Sequence, residues 1–116
     1  MGSLNYGEFI NCDEGITRLR GNSPLYKKLL GLFADGLEME RLEKALEQGD
    51  LKEAELAAHS LKGIAGNLSM RPLFAESEAF LYDMHIGADC AQSLLRFKDV
   101  FEKTREAAGE CLKSLP

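Results

Sequence analysis

Residues 51–70 read Leu51-Lys52-Glu53-Ala54-Glu55-Leu56-Ala57-Ala58-His59-Ser60-Leu61-Lys62-Gly63-Ile64-Ala65-Gly66-Asn67-Leu68-Ser69-Met70. Wound as a helix at ~100° per residue, the stretch separates into two faces. Ala54, Ala57, Leu61, Ile64, Ala65 and Leu68 fall on one side, an apolar stripe suited to a bundle core. Lys52, Glu55, His59, Lys62, Gly63, Gly66 and Met70 fall on the other. His59 projects outward, almost opposite Leu61 and Leu68.

The flanking sequence is helical as well. Valine occurs only at Val100, prolines number three, and no segment sustains the apolar–polar alternation of a strand. A short helix is expected from about Asp13 to Arg20, ended by Gly21. Asn22-Ser23-Pro24 supplies a cap followed by proline at a first helical position. From there one helix is expected to run to about Gln48, although Gly31 and Gly36 each cost ~1 kcal/mol relative to alanine. Gly49-Asp50 stops that helix and caps the next, from Leu51 to about Ser69. Arg71-Pro72 opens another, Leu73 to about His85. Asp89 caps the last, Cys90 to about Ser114, with Leu94, Phe97, Val100, Phe101, Thr104 and Ala108 along its inner stripe. Short connections favour antiparallel neighbours. The expected fold is therefore all-α, an antiparallel four-helix bundle with a short N-terminal helix covering one end. Residues 13–116 form one domain, and residues 1–12 an N-terminal extension whose Met1-Gly2-Ser3 start resembles a cloning remnant.

Composition narrows the function. At 116 residues, with 45% hydrophobic and 28% charged residues, the chain is long enough to bury roughly two thirds of its unfolded surface as one domain. A net charge of -5 with no basic run argues against nucleic acid and against an anionic membrane surface as partners. No apolar stretch approaches the ~20 residues of a membrane span, and no signal peptide is visible. Tyr6 stands where a myristoylation motif needs Ser or Thr. Cys12, Cys90 and Cys111 share no short spacing and no histidine completes a ligand set with them, so neither a zinc site nor a disulfide is expected. Reduced thiols and a cytoplasmic location follow.

The outward face of the quoted stretch carries the chemistry. An isolated histidine is usually a satisfied core residue, but periodicity places this ring outside. Gly63 and Gly66 follow His59 by four and seven residues on the same exposed stripe. Two glycines inside a helix cost about 2 kcal/mol in propensity, and on an exposed face they return nothing to folding. Bare backbone beside an exposed imidazole lets another protein approach it closely; tight packing against another helix is the alternative. An unprotonated ring nitrogen of imidazole is a nucleophile. Lys62, three residues on, reaches the same patch, where an ammonium would attract a dianionic phosphoryl group.

The run His59-Ser60-Leu61-Lys62-Gly63-Ile64-Ala65-Gly66-Asn67-Leu68 resembles the signature of histidine phosphotransfer (HPt) domains of bacterial two-component phosphorelays. Gly15-Ile16-Thr17-Arg18-Leu19, Pro24-Leu25-Tyr26 and Gly49-Asp50 are similar to the family's wider pattern. The resemblance implies an antiparallel bundle with His59 as phosphoacceptor and Lys62 near the phosphoryl group. It implies that Gly63 and Gly66 clear a docking surface, to which Met70 and Glu55, and the apolar Leu56, are added here. It also implies partners, namely response-regulator receiver domains or a hybrid sensor histidine kinase. Such a chain binds no cofactor, and magnesium is expected in the receiver. Two positions depart from the pattern. Some members place a glutamine or glutamate on the following helix against the imidazole; here that position falls at Leu81, so either the orienting bond is absent or Glu78 or Tyr82 substitutes for it, and neither is assigned. Ser69 stands where many members have glycine.

The chain has no strand-to-helix phosphate loop and no kinase ATP motif, so a phosphoryl carrier without kinase activity of its own is expected. A helical adaptor or dimerisation module is the alternative, and predicts that His59→Gln leaves every activity intact. A small-molecule phosphotransferase is the third reading and requires a concave pocket. His85, near a helix end, is expected to be a capping or surface residue.

Overall fold

A computed structural model describes residues 6–115; the Met1-Gly2-Ser3 start lies outside the described residues. Seven helices are present among them: α1 (Tyr6–Phe9), α2 (Cys12–Arg18), α3 (Ser23–Ala34), α4 (Leu37–Glu47), α5 (Leu51–Asn67), α6 (Arg71–His85) and α7 (Ala91–Ser114). Their starts are written in the sequence. Asn11, Asn22 and Asp50 each turn a side-chain oxygen onto the backbone N–H three residues on, at 3.0–3.1 Å. Pro24 and Pro72 sit in the first turns of α3 and α6, where no intrahelical N–H is needed.

Helices α4 to α7 pack in sequence order, α4 on α5, α5 on α6 and α6 on α7, while α3 lies against α7. The three-residue link Gln48-Gly49-Asp50 reverses α4 into α5, and a similar link joins α5 to α6. The core joins Leu30, Phe33, Leu42, Leu61, Leu68, Leu73, Phe80, Phe97 and Phe101. Ala54, Ala57, Ala58 and Ala65 complete the inner face of α5, where small side chains let the neighbouring helices come close. Two buried hydroxyls are satisfied within their own helices: Thr104 donates to the Val100 carbonyl at 2.6 Å and Ser77 to that of Phe74 at 2.7 Å.

Two expectations are corrected here. The single helix expected from Pro24 to about Gln48 is two helices, because Gly36 adopts a left-handed conformation with φ 75° and turns the chain between α3 and α4. The break lets α3 lie on α7 while α4 packs on α5, which one straight rod could not do, and Arg105 Nε caps the broken end by donating to the Ala34 carbonyl at 2.7 Å. Nor are all the thiols free. Cys12 on α2 and Cys111 on α7 form a disulfide across 99 residues, with Cα atoms 6.6 Å apart. The pairing is invisible to short spacing because it depends on the bundle bringing the two ends of the chain together. Cys90 alone remains free among the described cysteines, its thiol pushed up first by burial and then by Asp83 and Asp89.

The end of α5 is held by the N-terminal helices. The Asn11 N–H donates to the Ser69 carbonyl at 3.0 Å, and the Tyr26 hydroxyl to that of Leu68 at 2.9 Å. Gly15 makes room for Tyr26: a Cβ there would stand 2.6 Å from Cζ of the ring. These bonds place α2 beside the outward face of α5.

Candidate functional site

His59 stands on the outer face of α5 with 55% of its side chain exposed, where the helical period places it. Its Nε2 lies 3.8 Å from Oε1 of Glu55, one turn earlier. Gly63, one turn later, leaves open space: a Cβ there would meet nothing within 4 Å. Gly66 differs, because a Cβ there would touch the Phe74 ring of α6 at 3.5 Å, an ordinary contact. Gly63 therefore bares the ridge, whereas Gly66 lies in the seam between α5 and α6.

Lys62 leans toward α6. Its Nζ is 3.5 Å from Oε2 of Glu78 and 5.4 Å from the centre of the Phe74 ring. Met70, expected on the outward face, is fully buried. The helix ends at Asn67, and Ser69, in a left-handed conformation with φ 60°, turns the chain so that Met70 points into the core. Met70 takes no part in the surface. Leu56 is exposed.

Two depressions meet at His59 and Lys62. One, of about 780 Å³, lies toward the C-terminal end of α5 and is lined also by Glu14, Arg18, Gly63, Gly66, Arg71 and Phe74. The other, of about 290 Å³, lies toward the N-terminal end of α5, between Glu55 and the α6 residues Glu78, Leu81, Tyr82 and His85. Leu81 thus faces the site and has no polar atom to offer the imidazole. Glu78, paired with Lys62, meets the site through that ammonium, and the Tyr82 side chain is mostly exposed.

Arg18 and Arg71 did not emerge from the sequence. Arg71 Nη2 donates to Glu14 Oε2 at 2.7 Å, and Arg18 Nε lies 3.8 Å from Glu14 Oε1. The Ser69 hydroxyl beside it, foremost, and then Arg71 and Arg18 hold the Glu14 carboxyl below the usual carboxylate range, against the opposing effect of its burial. Ser69 Oγ and Glu14 Oε1 are nonetheless buried without a partner at full hydrogen-bond geometry, so this contact is loose. His85 carried a local signal: with Glu78, Leu81 and Tyr82 it falls at positions i, i+3, i+4 and i+7 of one helix face.

Residues 29–107 match the family model described as the Hpt domain. The chain belongs to the Hpt domain family. The matched stretch contains His59, Lys62, Gly63 and Gly66 and spans α4, α5 and α6 whole, so the Hpt assignment and the helical bundle agree. No curated protein and no solved structure matches the chain. Arg18 and Glu14 lie outside the part of the chain the Hpt model covers. Among the described residues no group of three or more His, Cys, Asp or Glu could hold a metal ion, and no helix is long and apolar enough to cross a membrane.

Proposed function

We propose that this Hpt domain relays a phosphoryl group between receiver-domain aspartates through His59. The observation that carries the reading is the exposed imidazole beside the open face of Gly63. In the forward step the Nε2 lone pair attacks the phosphorus of a receiver phospho-aspartate. The N–P bond forms as the O–P bond breaks, returning the aspartate to a carboxylate. The reverse step hands the group to a second receiver. Phosphoryl transfer depends mainly on in-line positioning and charge neutralisation. The chain supplies the nucleophile and the Lys62 ammonium, and the receiver supplies magnesium and its acidic pocket. Gly63, Gly66 and Glu55 lie where the receiver docks. The domain is a carrier with no ATP-dependent kinase activity, and its partners are response regulators or a hybrid sensor kinase.

The test is to mix the chain with a receiver domain loaded from acetyl phosphate and follow the label. Acid-labile label passing to the wild type and not to His59→Gln supports the reading. Equal labelling of both proteins, or of neither, overturns it.

A further inference from the structure

The two depressions that meet at His59 carry opposite charge. Toward the C-terminal end of α5 the lining holds two guanidinium groups, Arg18 and Arg71, against the single carboxylate of Glu14. Toward the N-terminal end it holds two carboxylates, Glu55 and Glu78, against the single ammonium of Lys62, which lies between the two depressions and pairs with Glu78. One flank is left with a surplus positive charge and the other with a surplus negative one, along the same groove and on either side of the reacting ring. Arg18, Glu55 and Glu78 each expose more than half of their side chain and Arg71 exposes 72%, so all four reach a docked surface. Such a gradient would do little for an isolated phosphate, because it attracts at one end and repels at the other. It suits a surface that is itself polarised.

On this basis we propose that Arg18, Arg71, Glu55 and Glu78 select the receiver. Acidic side chains of the partner would sit against Arg18 and Arg71, and a basic side chain against Glu55 and Glu78. The inference rests on the phosphocarrier reading. The four residues fix which way round the partner lies on the ridge, and so whether its phospho-aspartate comes in line with Nε2. None of them needs to touch the phosphoryl group.

The probe is whichever receiver domain, loaded from acetyl phosphate, transfers fastest to the wild-type chain, with initial rates measured over a range of receiver concentrations. Two double variants are compared, Arg18→Gln with Arg71→Gln and Glu55→Gln with Glu78→Gln, each checked for helical content by circular dichroism. Lys103→Glu, on α7 outside both depressions, is the control. The inference expects KM to rise in both double variants by about threefold or more, the scale of exposed ion pairs. It expects the difference from wild type to shrink at high salt, as screened contacts do. A rise in one double variant with a fall in the other would mean simple attraction of a uniformly charged partner and would overturn it. Unchanged KM in both would overturn it too. Absence of transfer to the wild-type chain from every receiver would instead contradict the carrier function itself, and this inference with it.

Discussion

Lys62 Nζ lies 3.5 Å from Glu78 Oε2, so the Lys62 ammonium is shared between α5 and α6. A phosphoryl group arriving on the imidazole competes with Glu78 for that charge. Glu78→Gln should free the ammonium and lengthen the lifetime of phospho-His59 by about two- to fivefold, the range of an exposed ion pair. Lys62→Ala should shorten it. Decay of the isolated phosphoprotein measures both; equal lifetimes in all three proteins would remove Lys62 from the mechanism.

Gly63 separates folding from docking. A Cβ at this position meets nothing, so Gly63→Ala should stabilise the domain by about 0.5–1 kcal/mol and raise Tm by a few degrees. Gly63→Arg should leave the fold intact while its side chain stands where a partner would approach, lowering transfer by ~10-fold or more. Calorimetry and transfer rates on the two variants check the pair of expectations. A Gly63→Arg protein that transfers at the wild-type rate would contradict docking across this face.

Tyr26 is fully buried, and that burial pushes its hydroxyl up to about 12. The neutral hydroxyl is therefore favoured in the folded state over the unfolded one, where tyrosine titrates near ~10. The stability this contributes is complete below pH ~10 and is lost as pH rises toward ~12. Tm measured against pH should fall across that window, and less steeply in Tyr26→Phe. Gly15→Ala, which drives a methyl into the same ring, should destabilise the domain by about 1–3 kcal/mol at neutral pH.

What could be read in the sequence was local. The period of α5 sufficed to place His59 outside and Ala54, Ala57 and Leu61 inside, and the caps at Asn22 and Asp50 marked where helices begin. Features made by long-range approach were not legible. Cys12 meets Cys111, and Glu14 meets Arg71, only because the bundle closes. The helical period alone puts Met70 outside, but the helix ends at Asn67 and Ser69 turns the chain inward. By propensity Gly36 is a tolerated defect in a long helix, but its left-handed φ makes it the corner between α3 and α4.

The Cys12–Cys111 disulfide closes a loop spanning most of the chain, and reduction should lower stability by about 2–4 kcal/mol. Alkylation in denaturant should add one group, on Cys90, before reduction and one on each of the three cysteines after it. Three adducts without reductant would show that the bridge is absent.

Everything proposed for this domain converges on one atom group, the outward imidazole of α5. The most direct test is site mapping by mass spectrometry after brief incubation with a phosphorylated receiver, under conditions that preserve phosphoramidates. The account predicts phosphate on His59 in the wild type and in His85→Gln, and none on the chain in His59→Gln. Phosphate found on His85, or retained after His59 is replaced, would contradict it.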